Sequence, residues 1–278
     1  MLEQQGPRRL APGTFHWAAE QGPGHVRAGL LHGVMSSSST WSRVAPALAA
    51  RGWDVTAVDL AGHGEGPRPV APADPLGALV DAASSALPGQ VDVLVGHSLG
   101  AVVALALAGA HPGAARSVVL EDPPARSALG TELLADGAEA LAAAVAGDRG
   151  AYWQQLKDAN PGWTDQEVEQ SVAALEACDT AEVARALRAG FTWELPAMVS
   201  RAAVPVLVVA AHEVEGALPI VQGTALLGPE RQALVEMLPA DRFVELPGGH
   251  SLHRDMPEQV VDLLVRFVAS LGPGPHPG

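Results

Sequence analysis

An α/β architecture on a mostly parallel sheet is what this 278-residue chain predicts, from three observations. Short, nearly continuous Val/Leu runs alternate with longer helical stretches, as strands covered on both faces and joined by right-handed crossovers do. One such run passes straight into an apolar helix through Gly96-His-Ser-Leu-Gly100. From about residue 123 to 196 the alternation stops and only helical patterns remain.

The predicted strands are Val26–Leu31, Val55–Val58, Val91–Val95, Ser117–Leu120, Pro205–Ala210 and Arg242–Leu246. The helices between them are Thr40–Arg51, Pro75–Leu87, Ser98–Ala110 and Pro257–Leu271. Inside the irregular stretch, helical patterns cover Thr131–Ala146, Gly150–Asp158, Asp165–Ala177 and Thr180–Gly190. The chain thus divides into a core of 1–122 and 197–278 and a helical lid of 123–196. The lid holds Tyr152, Trp153, Trp163, Phe191 and Trp193, five of eleven aromatic residues, so part of it is expected to face a pocket. Met35, Trp153, Trp163 and Trp193 are the expected pocket residues. No internal repeat is visible, and the Ala-rich segments are helix formers.

Composition narrows the partners. With 31 acidic and 17 basic residues the net charge is −14, which argues against nucleic acid and anionic membranes. No stretch resembles a signal peptide or a membrane span. Cys178 is the single cysteine, so no internal disulfide forms, and a reducing, cytoplasmic setting is expected. A small-molecule substrate is the expected partner; the oligomeric state stays open, a homodimer included. No cofactor and no metal are expected.

The chemistry begins at Ser98. A strand turning sharply into a helix pushes one side chain out at the top of a sheet, and only small neighbours tolerate the crowding, hence Gly96 and Gly100. The helix N-terminus behind Ser98 favours developing negative charge. A serine so placed needs a base, and the base an orienting acid. His250, in Pro247-Gly-Gly-His-Ser-Leu-His253, is the candidate base, on a glycine-flanked loop between the last strand and the last helix. His97 adjoins the nucleophile, with its side chain expected to point away into the turn. His253 and His250 are spaced like a metal pair, yet no further ligands stand nearby in sequence. Gly33, after the first long strand, lets a backbone N–H face the site. The oxyanion donors are then the N–H groups of Val34 and Leu99, with His32 bracing the loop.

His32-Gly33, Asp59-Leu-Ala-Gly-His-Gly64, Gly96-His-Ser-Leu-Gly100, His111-Pro112, Leu120-Glu-Asp-Pro123 and Gly249-His250 follow one another at familiar spacing. In these motifs, over about residues 26–125 and 200–270, the chain resembles the α/β-hydrolase superfamily, of the lid-bearing esterase and lactonase type. The resemblance implies an α/β-hydrolase fold with a helical lid. It also implies a serine hydrolase acting through an acyl-enzyme on an ester, lactone or thioester of a small, largely apolar molecule. The same scaffold also serves acyltransferases, perhydrolases, lyases and cyclases, and a chain that lost its acid would be a binding protein. The acid departs from the usual pattern. Members commonly carry an Asp after the strand preceding the histidine strand, where this chain reads His212-Glu-Val-Glu-Gly216. Asp122, at the end of the preceding core strand, occupies the position used by other members. Glu121, Glu213 and Glu215 are the alternatives.

Overall fold

The computed structural model describes residues 6–19, 26–68, 73–125, 130–189, 191–213 and 223–272. Eight strands form one sheet: β1 (Arg8–Ala11), β2 (Thr14–Trp17), β3 (Val26–Leu31), β4 (Trp53–Val58), β5 (Val93–His97), β6 (Val118–Glu121), β7 (Val206–Ala211) and β8 (Phe243–Leu246), in the order β1-β2-β4-β3-β5-β6-β7-β8. Strands β3 to β8 pair in parallel, as the Val/Leu runs predict. The hairpin β1–β2, antiparallel to β4, is an addition to the expected set. Its strands are four residues each, too short to show a period, and they turn through Gly13 at φ 67.

The pleat sends alternate side chains to two cores. Leu94, Leu120 and Val208 pack on one face with α2 (Pro75–Ala86) and α3 (Leu99–Ala110). Val93, Val95, Val119 and Val209 pack on the other with α1 (Val44–Ala49) and a C-terminal helix, Pro257–Ser270. The predicted helix Thr40–Arg51 is split into a 3-10 turn, Ser38–Trp41, and α1. Pro46 explains the split: it fits the first turn of α1 but would break the interior of a longer helix.

Between β6 and β7 lie α4 (Thr131–Gly147), α5 (Arg149–Ala159), α6 (Asp165–Glu176), α7 (Thr180–Arg188) and α8 (Leu195–Arg201). Asp148, Thr164 and Asp179 cap α5, α6 and α7, with Thr164 and Glu167 forming a reciprocal capping box. Small residues Ala135 and Ala138 are buried on α4, and Arg188 of α7 reaches Asp136 and Glu139 of α4. After β7 come α9 (Gly228–Met237), which the periodicity did not reveal, then β8, α10 (Leu252–Asp255) and α11 (Pro257–Ser270). Among the described residues no helix is long and apolar enough to cross a membrane.

The strand order decides where a site stands. From β3 the chain crosses to β4 on one side, and from β5 to β6 on the other, so the order reverses between β3 and β5. The crevice outside the carboxyl ends of such a pair is where open α/β sheets bind ligands. Gly33 follows β3 there, and Ser98 follows β5.

Candidate active site

Strand β5 ends at His97 and α3 begins at Leu99, so Ser98 alone makes the turn. It does so at φ 53, ψ −121, a conformation costing on the order of 1–3 kcal/mol that survives only where its surroundings impose it. Its N–H donates to the Glu121 carbonyl at 2.9 Å and its carbonyl accepts from the Ala101 N–H at 2.9 Å. The flanking glycines close around the turn. A Cβ on Gly96 would overlap the Gly100 carbonyl, and one on Gly100 would overlap the carbonyls of Leu31 and His32. These obstacles are backbone atoms, which cannot rotate away. Gly96→Ala is therefore expected to cost at least ~3 kcal/mol, read as a Tm drop of about 6 °C or more; a Tm within about 1 °C of the parent would contradict this packing.

The other positive-φ non-glycine residues among those described are Met35, at φ 59, and Asp122, at φ 40. All three therefore sit on loops leaving β3, β5 and β6 at the same end of the sheet. His250 Nδ1–H donates to Asp122 Oδ2 at 2.6 Å, and both residues are buried. Asp122 is held on every side. Oδ1 accepts from the Ala211 N–H at 3.0 Å and from the Thr224 hydroxyl, and Oδ2 also accepts from the Ala225 N–H at 2.7 Å. Four donors thus fix the orientation of one buried carboxylate.

Glu121 is engaged by another histidine. Glu121 bonds His253, not His250: its Oε1 accepts from the His253 N–H at 2.9 Å and from Nδ1–H at 2.6 Å. Burial pushes its carboxyl up to about 7. Glu213 is exposed at the end of β7. Glu215 lies outside the described residues. His97 does not turn away as expected; it is buried, and its Nε2–H donates to the His250 carbonyl at 2.9 Å.

The loop after β3 is braced by His32. Its Nδ1–H donates to the Gly33 carbonyl at 2.7 Å, and its Nε2 accepts from the Leu60 N–H at 2.9 Å. Burial lowers its pKa, which keeps the ring neutral in this role. Leu99 is the first residue of α3, where a backbone N–H has no partner inside the helix. Val34 and Leu99 meet Ser98 around a small cavity of about 10 Å³ that Pro124, Leu134, Leu187 and Trp193 complete. A second, also about 10 Å³, lies beyond Leu99 and Leu187 and is lined by His63 and Phe191. Burial drives the His63 pKa down to about 3, so this ring is neutral as well.

Of the four expected pocket residues, Trp193 alone lines the cavity at Ser98. Met35 and Trp153 pack with Val172 and Leu175 in a separate cluster. Trp163 donates its indole N–H to Asp255 at 2.6 Å and lies under the Arg254 guanidinium. Leu134, Leu187 and Pro124 were missed. Their signal was helical periodicity on α4 and α7, which marks a buried face without saying what it covers. The largest described cavity, about 660 Å³, runs between β2, the Ser37–Ser39 turn and α6, and includes none of Ser98, Asp122 or His250.

One group among the described residues has metal-ligand chemistry: His97, Glu121 and His253, whose ligand atoms lie within 4.8 Å of one another. Both His253 nitrogens are engaged, Nδ1 by Glu121 and Nε2 by Thr40. That leaves the group short of the three or four free ligands a structural site uses.

A model of the alpha/beta hydrolase family matches residues 30–263. Over 94 residues the chain is 39% identical to a pimeloyl-(acyl-carrier protein) methyl ester esterase of Neisseria meningitidis serogroup A, a match covering 33% of this chain and 28% of that protein. The aligned region thus spans under a third of that relative's length. The fold is similar to that of the enol-lactonase from Burkholderia xenovorans LB400, with TM-score 0.67 and 19% identity over 92% of this chain and 97% of that one. It is likewise similar to a hydrolase from Pseudomonas aeruginosa PA01, with TM-score 0.69 and 22% identity over 93% and 94%.

Proposed function

The chain belongs to the alpha/beta hydrolase family, and from that premise we propose that it is a serine hydrolase cleaving an ester, lactone or thioester of a small, largely apolar molecule. The observation that carries the reading is the 2.6 Å bond from His250 Nδ1 to Asp122, at the sheet end where Ser98 makes its strained turn. Donation from Nδ1 leaves the Nε2 lone pair of His250 to act as base. Ser98 Oγ attacks the carbonyl carbon and its proton passes to His250. Asp122 stays ionised and stabilises the imidazolium. The N–H groups of Val34 and Leu99 receive the oxyanion. Collapse expels the alkoxide or thiolate, which takes the proton from His250, and water then repeats the sequence on the acyl-enzyme.

The walls support the proposed substrate class. Val34, Pro124, Leu134, Leu187 and Trp193 offer no charge to an acyl group. The methyl ester esterase and the enol-lactonase among the relatives act, by name, on esters and lactones, which agrees with this chemistry. A 10 Å³ cavity holds about one water molecule, so substrate entry calls for Leu134 of α4 and Leu187 of α7 to give way. The test is labelling by a fluorophosphonate, with turnover of an ester and lactone panel against Ser98→Ala as the blank. Labelling absent from the parent, or unchanged in Ser98→Ala, rejects the reading.

Specificity is expected to sit with Trp193. Its indole N–H donates to the Pro124 carbonyl at 2.7 Å and its ring meets Phe191 edge-on. Trp193→Phe opens the wall, and the kcat/KM ratio of longer to shorter acyl esters should rise about ten-fold. Trp163→Phe, remote from the cavity, should leave that ratio alone. Equal profiles for both variants would remove Trp193 from the acyl site.

A further inference from the structure

Adjacent residues at the end of β6 each hold a histidine of the segment after β8. Asp122 takes His250, and Glu121, pointing the other way, takes His253. We propose that Glu121, His253 and His97 form a second, non-reacting histidine–carboxylate assembly that positions His250 for proton transfer. This rests on His250 being the base.

The hydrogen-bond directions leave one consistent arrangement. His253 donates from Nδ1 to Glu121, so its Nε2 must accept, and the donor is the Thr40 hydroxyl. Thr40 Oγ1 in turn accepts from Arg254 Nε–H at 2.9 Å. A chain of donors thus runs Arg254, Thr40, His253, Glu121, and it fixes the tautomer of His253 as Asp122 fixes that of His250. Between the two dyads lies the His97 ring, 4.6 Å from the His250 ring and 4.7 Å from the His253 ring. Its Nε2–H holds the His250 carbonyl. Its other edge abuts the oxyanion loop, for a Cβ at Gly33 would stand 2.9 Å from His97 Nδ1 and 3.1 Å from Ser98 Cβ. One ring therefore touches the base and the loop that offers the oxyanion donor, and it adjoins the nucleophile in sequence.

A purely structural purpose would be served better by apolar residues, since buried polar clusters are often no more stable than a hydrophobic replacement. These residues are also not fully satisfied: His97 Nδ1 and Glu121 Oε2 are buried without a hydrogen-bond partner. Both are acceptors. Burial pushes that carboxyl up to about 7, with His97, His253, Asp122 and His250 the groups that face it. Glu121 therefore changes charge near neutrality beside the reacting dyad, and the pH profile must carry its trace as one coupled set.

The experiment compares His97→Phe, His97→Gln and Glu121→Gln with the parent, using thermal unfolding to confirm the fold. His97→Phe keeps the ring and deletes the donor; kcat should fall about ten-fold with KM within about two-fold. His97→Gln restores a donor at the same distance and should return kcat to within about three-fold of the parent. Glu121→Gln keeps the acceptor for His253 but never ionises; the acid limb of the kcat/KM profile should move to lower pH by about half a unit or more. If His97→Phe does not fold, Thr40→Val, isosteric and outside the reacting groups, should lower kcat about three-fold. Parental kcat in the folded His97→Phe or Thr40→Val variant, with an unmoved limb in Glu121→Gln, overturns the proposal while an inert Ser98→Ala leaves the catalytic reading intact. Activity surviving in Ser98→Ala would instead remove the reading on which it rests.

Discussion

Ser98→Ala and His250→Ala are each expected to lower kcat by roughly 10⁴ to 10⁶ with folding preserved, and the double variant to lose little more than either. In the proposed mechanism the two side chains act as one device: without the base the hydroxyl is a weak nucleophile, and without the hydroxyl the base has no proton to take. Neither substitution should disturb the core. Ser98 is 4% exposed but holds its turn through backbone bonds to Glu121 and Ala101, which alanine keeps. His250 anchors Asp122 through its side chain, so its variant is to be read only where unfolding stays cooperative and the Tm near that of the parent. A residual rate well above the uncatalysed one is still expected, because the proposed oxyanion donors of Val34 and Leu99 and the apolar walls are untouched by either substitution. Single-turnover measurement separates the outcomes: a burst of leaving group in the parent and none in either variant fits an acyl-enzyme. Independent, multiplicative losses in the double variant would mean that Ser98 and His250 do not share a step.

The turn at Ser98 and the glycine-flanked His250 were legible because each depends on a few consecutive residues. The parallel strands were legible for the same reason. What the sequence left open was direction. Whether Glu121 or Asp122 faces His250 turns on one residue of register at the end of β6. Glu121 still pairs with β7 opposite Val209, while Asp122 has left the strand at φ 40. Composition did not say which aromatics line the described cavity at Ser98. Trp153 and Trp163 looked like pocket aromatics, but an aromatic fills any gap large enough. Trp163 serves the Arg254 guanidinium instead. The support of Asp122 by Thr224 was invisible, since it joins residues 102 positions apart.

Asp122→Asn tests the acid, and the hydrogen bonds around it make the expected result specific. A carboxylate there accepts from two backbone N–H groups, one on each oxygen: Ala211 on Oδ1 and Ala225 on Oδ2. An amide offers one oxygen and one NH₂. Whichever way it turns, its NH₂ meets a backbone N–H that cannot reverse, so one buried donor is always opposed. That should cost about 1–3 kcal/mol of stability, a loss seen as a lower Tm without a change of fold. If the NH₂ faces His250, the ring must accept at Nδ1 and carry its proton on Nε2. It then presents a donor where the Ser98 proton has to go. If the oxygen faces His250, the tautomer survives but the imidazolium loses its counter-charge. Both orientations slow attack, and kcat should fall about 10² to 10⁴, less than on losing Ser98, because the base and the oxyanion donors remain. Glu213→Gln, at an exposed position, should keep nearly full activity, and Glu121→Gln should shift the pH profile with a far smaller loss. A mild Asp122→Asn beside a crippled Glu213→Gln or Glu215→Gln would transfer the role of acid to the loop after β7.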